Sequence, residues 1–194
     1  MTTPAPAKRP ATCRPATCRP ATVILLVYNE IEGVRALLDS LRALDAAEVF
    51  AVDGGSTDGT VEALREGGIS VHKQSRPGRG PALVEGGERA SQEIVVIFSP
   101  DGNEDPADVP HLIDAVAHGD EADLAIASRF LPASRNEEED ELFPLRAWAN
   151  RSFTLIANAL WNRREPVTDT INGFRAFRRA KILSLGLDAP GMTI

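Results

Sequence analysis

A loop rich in side-chain oxygens follows an apolar stretch near the middle of the chain. Residues 94–98, IVVIF, are rich in β-branched side chains and predict a buried strand. The next residues are Ser99, Pro100, Asp101, Gly102, Asn103, Glu104 and Asp105. Open α/β sheets bind ligands at the carboxyl ends of their strands, and carboxylate and amide oxygens suit Mg²⁺ or Mn²⁺. The loop therefore predicts a divalent-metal site, with an Asx-type turn that binds no metal as the alternative.

Two earlier strand ends carry groups suited to a nucleotide. VYNE (27–30) ends the first predicted strand, and VDGGSTDGT (52–60) ends the second. Asp53 can accept hydrogen bonds from a base or a ribose, while the glycines after it permit a tight turn. Free backbone N–H groups in such a turn can face a phosphate, and Asp58 can cap the next helix. An ordinary turn and helix cap explains the same residues, so this motif alone leaves both interpretations open.

Hydrophobic periodicity predicts the elements that position these loops. Strands are predicted at 23–28, 48–53, 69–73, 94–98 and 123–128. Helices are predicted at 31–44, 58–67, 81–91 and 106–118. Strands that alternate with helices imply an α/β fold with a mostly parallel sheet covered on both faces.

The last third of the chain follows a different pattern. A helix at 144–162 has an apolar side with Leu145, Trp148, Ile156, Leu160 and Trp161. An acidic run at 133–142 predicts a mobile loop, 165–177 a loop with a short strand, and RRAKILSLGL a last helix. The aromatic and arginine residues of the 144–162 helix suit a membrane interface, and a core-facing helix is the equal alternative.

Composition limits the function classes. The 194 residues are 43% hydrophobic and 25% charged, as expected for a folded domain with a core of its own. A net charge of -7 argues against general nucleic-acid binding. Both cysteines, Cys13 and Cys18, lie in a Pro/Ala/Arg-rich segment, 1–22, that predicts disorder. No disulfide, apolar span or signal-peptide core is evident, so we expect a cytoplasmic location.

The C-terminal part is basic although the whole chain is acidic. Residues 142–194 carry Arg146, Arg151, Arg163, Arg164, Arg175, Arg178, Arg179 and Lys181. A basic segment beside an acidic nucleotide-type domain suggests an anionic substrate.

Six motifs occur in a characteristic order: VILLVYNEIEGV, VDGGSTDGT, RPGRGPAL, the 99–105 loop, IASRF and TDTINGFRAF. In this order and spacing the chain resembles the family 2 glycosyltransferases with the GT-A fold, most closely the dolichyl- or polyprenyl-phosphate mannosyl- and glucosyltransferases. The resemblance covers residues 22–194. It implies one Rossmann-like GT-A domain at 23–194, with a donor-binding part at 23–130 and an acceptor-side part at 131–194.

The resemblance also implies roles for single residues. The donor nucleotide sugar would be bound by Tyr28, Glu30, Asp53, Gly55, Arg79 and Pro100. Asp101 and Asn103 match two of the family's metal-binding positions, so Mg²⁺ or Mn²⁺ would be held together with the donor diphosphate. Ser99 stands where the family has another carboxylate, and Gly54 where it usually has Asp. The family also continues beyond the point that corresponds to Ile194.

The expected reaction is inverting transfer of a hexose, mannose or glucose, from a nucleotide-diphosphate sugar. No catalytic base stands out, but a phosphate acceptor is already anionic and needs cations instead. Arg129, Arg146 and Arg175 match the family's acceptor-side arginines and, with Asp101, form the predicted catalytic set. The predicted acceptor is thus a polyprenyl phosphate at the inner face of the cell membrane. A non-catalytic nucleotide-sugar-binding protein, or a transferase with a polysaccharide, antibiotic or other small-molecule acceptor, is the alternative.

Overall fold

The computed structural model describes residues 19–118, 122–131, 145–163 and 166–186, with side chains in the fifth helix from Trp148 onward. The strands are β1 Ala21–Val27, β2 Glu48–Asp53, β3 Ser70–Lys73, β4 Ile94–Phe98, β5 Leu124–Ile126 and β6 Arg175–Arg178. The helices are α1 Ile31–Arg42, α2 Thr60–Glu66, α3 Arg79–Arg89, α4 Val109–His118, α5 Leu145–Leu160 and α6 Arg179–Ser184, with a 3-10 turn at Pro106–Asp108.

The six strands form one sheet in the order β3-β2-β1-β4-β6-β5. Strand β1 pairs in parallel with β2 and β4, and β2 pairs in parallel with β3. Strand β6 is antiparallel to both β4 and β5 and separates them. The predicted α/β class with a mostly parallel sheet is therefore confirmed.

The register of the strands brings the predicted site loops to one edge. Val27 lies opposite Asp53, and Leu25 lies opposite Phe98, so β1, β2 and β4 end together. Because β6 runs the other way, Arg175 begins that strand beside Ile97, at the same edge. The loops after three strands and the loop before a fourth can therefore contact one ligand.

The central strands β1 and β4 are buried along their whole lengths. On one face, Val23, Leu25 and Phe98 pack with residues of α1 and α4. On the other face, Ile24 and Val95 pack with residues of α3 and α6. Helices on both faces explain the continuous apolar sequence of these central strands.

The N-terminal boundary differs from the prediction. The described chain begins at Arg19 and β1 at Ala21, both inside the segment 1–22 that the sequence predicts to be disordered. Arg19 forms ion pairs with Asp45 and, at 2.9 Å, with Asp114. These carboxylates come from distant parts of the chain, so no local pattern reveals the contact. Cys13, Cys18 and the acidic run at 133–142 lie outside the described residues.

Helix α5 docks through polar residues, and its large apolar side chains face outward. Thr154 is buried and its hydroxyl lies 3.1 Å from that of Thr170. Asn158 exchanges two hydrogen bonds with the backbone of Val167, at 2.7 and 3.1 Å. The exposed apolar residues of the helix and its end are Trp148, Phe153, Leu155, Ile156, Leu160 and Trp161. A core-facing apolar side is therefore wrong for the described side chains.

Candidate functional site

The loops after β1 and β2 are joined by reciprocal hydrogen bonds. The Asn29 amide donates to the Ser56 hydroxyl, and the Asn29 side-chain oxygen accepts from the Thr57 amide, both at 2.9 Å. Asn29 has a left-handed backbone, with φ of 57°, which asparagine tolerates better than most residues. Asp58 accepts from the amides of Thr60, at 3.0 Å, and Ile31, at 3.1 Å. The two loops thus form one unit.

Asp53 holds the loop after β2 in place through hydrogen bonds to its backbone. Its carboxylate is buried and accepts hydrogen bonds from the amides of Gly55 and Ser56, each at 3.0 Å. Gly55 has φ of 106°, a backbone conformation that favours glycine. A cleft of about 300 Å³ adjoins these residues and extends along α2 to Lys73. Each carboxylate oxygen keeps a second lone pair that can accept from a ligand.

Tyr28 offers an exposed aromatic surface beside this cleft. It is 42% exposed, and its ring lies against Gly54. A Cβ added at Gly54 would come within 3.3 Å of the Tyr28 ring. The glycine therefore lets the ring lie close to the β2 loop, where it can stack on a planar group.

The 99–105 loop contains the Asx-type turn that the sequence left as an alternative to a metal site. The Asp101 carboxylate accepts from the Asn103 amide at 3.0 Å, and both side chains are exposed. Gly102 has φ of 90° and reverses the chain. Such a turn occupies one lone pair of one Asp101 oxygen, so it does not exclude metal binding by the same carboxylate.

Acidic side chains are concentrated around this loop. Burial, reinforced by Asp101, raises the pKa of Glu104 to about 8, although the Ser99 amide and Arg79 act in the opposite direction. Burial followed by repulsion from Asp101 and Asp58 also raises the pKa of Glu30. Carboxyl groups that hinder one another's ionisation fit a bound cation.

The protein ligands alone do not form a closed metal centre. Among the described residues, no group of three or more His, Cys, Asp or Glu side chains is arranged to hold a metal ion. Asp101 and Asn103 therefore fit an ion that draws its other ligands from a bound diphosphate and water.

Arg79 supplies positive charge on the other side of Ser99. It is the first residue of α3, and its Nη2 donates to the Ser99 hydroxyl at 3.4 Å. The guanidinium lies over Gly173, where an added Cβ would come within 2.2 Å of Nη2. Gly173 thus leaves space for the Arg79 guanidinium, a contact that no local sequence pattern reveals.

A second glycine holds the 99–105 loop against α1. A Cβ added at Gly33 would lie 1.7 Å from the carbonyl oxygen of Pro100 and 3.4 Å from the Asp101 Cα. The first turn of α1 thus packs directly on the loop backbone. The predicted donor residue Pro100 is buried in this contact.

Arg129 and Asp169 form a buried ion pair beside the site. The Arg129 guanidinium donates to both Asp169 oxygens, at 2.9 and 3.4 Å. Burial works against the charged form, but Arg129 and the amides of Ile171 and Asn172 hold the pKa of Asp169 below its usual value. A carboxylate with a lowered pKa is a weak general base.

Arg175 supports the same segment of chain. Its guanidinium donates to the carbonyl oxygens of Asn172, at 2.6 Å, and Thr170, at 3.1 Å. Burial, followed by repulsion from Arg79, lowers the pKa of Arg175. The side chain of Arg146, the remaining predicted acceptor residue, lies outside the described ones.

Comparisons with known proteins give consistent matches. The model of the family described as glycosyl transferase family 2 matches residues 22–185. Undecaprenyl-phosphate mannosyltransferase of Micrococcus luteus is 30% identical over 176 residues, which cover 86% of this chain and 69% of that protein. Polyprenol monophosphomannose synthase of Mycolicibacterium smegmatis is 30% identical, with 86% of this chain and 64% of that protein covered.

The solved structures include glucosyl-3-phosphoglycerate synthase of Mycobacterium tuberculosis. Its complex with Mn²⁺ and UDP-glucose is 25% identical, with a TM-score of 0.66. The match covers 84% of this chain and 57% of that one. The same protein was also crystallised with phosphoglyceric acid. The chain thus covers well under two thirds of this neighbour.

Proposed function

Because the chain belongs to glycosyl transferase family 2 and has its GT-A fold, we propose that it transfers a hexose from a nucleotide-diphosphate sugar to a polyprenyl phosphate. One observation carries the proposal. At the carboxyl edge of the sheet, the Glu104 carboxyl group and the Arg79 guanidinium both form hydrogen bonds with Ser99, two residues before Asp101. A cation site and a guanidinium at one strand end suit a diphosphate leaving group.

On the donor side, the Tyr28 ring can stack on the base. Asp53, whose carboxylate already fixes the loop, can accept from the base or ribose, and Gly55 lines the same cleft. Glu30, in the adjoining loop after β1, would contact the same donor. The diphosphate then extends towards Arg79, Pro100 and Asp101. Mg²⁺ or Mn²⁺, held by Asp101 and Asn103, would neutralise the charge that develops on the leaving diphosphate.

On the acceptor side, the nucleophile is an oxygen of the acceptor phosphate, which attacks the anomeric carbon. The new phosphate–sugar bond forms as the bond to the donor diphosphate breaks, so the anomeric configuration is inverted. Arg129, Arg146 and Arg175 would orient the acceptor phosphate. Two of these already bind protein groups, since Arg129 holds Asp169 and Arg175 holds backbone carbonyls. Arginine has five N–H donors, so the two carbonyl contacts of Arg175 leave donors for a phosphate.

The names of the relatives favour an acceptor that bears a phosphate group. They point to two kinds of such acceptor, a polyprenyl phosphate and a small phosphorylated acid. Two curated relatives are named for undecaprenyl phosphate and polyprenol monophosphomannose. The structural neighbour is named for glucosyl-3-phosphoglycerate. A small phosphorylated acid is therefore the second candidate acceptor.

The acceptor is tested by transfer assays with a panel of radiolabelled nucleotide sugars and Mn²⁺. We expect product with a short-chain polyprenyl phosphate, and at least a hundredfold less with the corresponding free alcohol, because we identify no strong base for a hydroxyl among the described residues of the site. Phosphoglyceric acid is tested in parallel. Transfer to the alcohol at an equal rate contradicts the phosphate mechanism, and preference for phosphoglyceric acid identifies the second candidate. Donor binding without transfer to any acceptor would indicate a nucleotide-sugar-binding protein instead.

Helix α5 supports a peripheral contact with the cytoplasmic face of the membrane. Trp148, in α5, and Trp161, just after it, are 69% and 76% exposed, and Arg151 lies on the same helix with Arg163 three residues beyond its end. Contiguous exposed apolar residues mark surfaces that bind other molecules, and tryptophan beside arginine suits a lipid headgroup region. Within the described residues, no helix has the length and apolarity needed to cross a bilayer.

The expected result is binding to phosphatidylglycerol-containing vesicles at low salt, measured by flotation. Replacing Trp148 and Trp161 together with serine should weaken binding at least tenfold, without loss of stability because both side chains are already exposed. Leu185→Ser is the matched control, since Leu185 is 57% exposed outside α5. Equal binding by the double variant and the parent would show that α5 is not the membrane contact.

A further inference from the structure

The 99–105 loop closes on itself through Glu104. The Glu104 Oε2 accepts a hydrogen bond from the Ser99 amide at 2.7 Å. The turn at Gly102, with φ of 90°, reverses the chain between these two residues. In the described part of the chain, Oε2 is the one atom of this carboxylate with a hydrogen-bond partner. The other oxygen therefore keeps its capacity to bind a ligand.

Glu104 and Arg79 both form hydrogen bonds with Ser99 at the end of β4. Asp101 and Arg79 are both close enough to influence the charge of Glu104. Ser99 connects the two side chains, because its amide donates to Glu104 and its hydroxyl accepts from Arg79 at 3.4 Å. A ligand that bridges a cation and the Arg79 guanidinium would pass directly beside Glu104.

Asp101 by itself is a weak anchor for a hard cation. It is exposed, and one of its oxygens already accepts from the Asn103 amide. Ser99, at the end of β4, offers a hydroxyl and no charge. We propose that Glu104 is the second carboxylate ligand of the divalent cation, beside Asp101, when the donor diphosphate is bound. This inference rests on the proposed function of the same site.

The charge of Glu104 can be separated from its structural contact. Glu104→Gln keeps an oxygen that can accept from the Ser99 amide but cannot take on the negative charge that a carboxylate carries when it binds a cation. Mn²⁺ binding is measured by electron paramagnetic resonance, with UDP or GDP present, whichever the parent binds more tightly. We expect Glu104→Gln to raise the Kd for Mn²⁺ at least tenfold, because hard divalent cations depend on carboxylate charge.

Asp105→Asn is the matched control in the same loop. Asp105 is exposed and caps the 3-10 turn by accepting from the Ala107 amide at 2.9 Å, a bond that asparagine can retain. Asp105→Asn also removes one carboxylate from the loop, and we expect less than a threefold change in the Kd for Mn²⁺. Equal effects of the two substitutions would indicate general electrostatics and overturn the inference.

Asp101→Asn separates failure of this inference from failure of the proposed function. If Asp101→Asn abolishes Mn²⁺ binding while Glu104→Gln leaves it unchanged, Glu104 is not a ligand and the metal-assisted function stands. If the parent binds nucleoside diphosphate equally with Mn²⁺ and with EDTA, the metal site and this inference both fail.

Discussion

Gly33→Ala is expected to lower Mn²⁺-dependent binding of the nucleoside diphosphate about a hundredfold while the core remains folded. The added methyl group would lie 1.7 Å from the Pro100 carbonyl oxygen, a distance that no non-bonded pair tolerates. The obstacle is backbone, so the 99–105 loop or the start of α1 must move by more than about 1 Å. A displacement of that size at the reacting groups can cost about a hundredfold in activity.

Gly33→Ala should change the free energy of unfolding much less than it changes nucleoside diphosphate binding. Overpacking costs about 1–3 kcal/mol, and replacing glycine with alanine in a helix returns up to about 1 kcal/mol. The loop lies at the edge of the sheet, so the displaced backbone can move towards solvent. Urea unfolding is therefore expected to give a loss of only about 1–2 kcal/mol.

Gly87→Ala is the matched control for this prediction. Gly87 lies inside α3, and an added Cβ would come no closer than 3.3 Å to the Ile182 side chain. This substitution brings the same gain in helix propensity without contact with the 99–105 loop. If Gly33→Ala binds Mn²⁺ and nucleoside diphosphate as Gly87→Ala does, the Gly33 contact does not fix the loop.

The fold could be predicted from local pattern because the central strands are buried on both faces. The segments 48–53 and 94–98 read as strands from sequence and occur with those bounds. The order of the sheet could not be predicted in the same way. Strand β6 lies between β4 and β5, and its antiparallel pairing depends on contacts between residues distant in sequence.

The site was only partly predictable for the same reason. Tyr28 and Asp53 end predicted strands and Asp101 lies in the loop after another, so the sequence alone identifies them as candidates. Gly33 and Gly173 matter because of the atoms that approach them, and those atoms lie on other elements. Helix α5 illustrates the opposite error: its apolar pattern is real, but its polar Thr154 and Asn158 contact the protein.

Arg129→Ala is expected to destabilise the protein by about 3 kcal/mol at pH 7, because it leaves a buried carboxylate without its cation. The Asp169 side chain has no exposed surface, whereas that of Arg129 is 26% exposed. Backbone amides of Ile171 and Asn172 remain as partners, each at 3.1 Å, so the loss stays at the lower end for a broken buried pair. Lys181→Ala is the control, since it breaks an exposed pair with Asp123 and should cost less than about 1 kcal/mol.

The pH dependence of this loss has a definite sign. The pKa of Asp169 is lowered in the folded protein, so the folded state binds fewer protons than the unfolded state between the two pKa values. The stabilisation is therefore present above the unfolded pKa of about 3.9 and is lost as the pH falls through the folded pKa. The difference between parent and Arg129→Ala in urea unfolding should shrink from pH 7 to pH 3.

The expected loss of stability on substitution of Arg129 must be separated from any role of Arg129 in binding the acceptor. Arg129→Lys keeps the charge but loses the two-point contact with Asp169, so part of any lost activity would come from movement of the 169–175 segment. Adding Asp169→Asn to Arg129→Ala removes the uncompensated charge and should recover at least about 1 kcal/mol. If this double variant regains stability but not transfer to polyprenyl phosphate, Arg129 acts on the acceptor as well as on Asp169. If transfer returns together with stability, the contribution of Arg129 is confined to holding Asp169 in place.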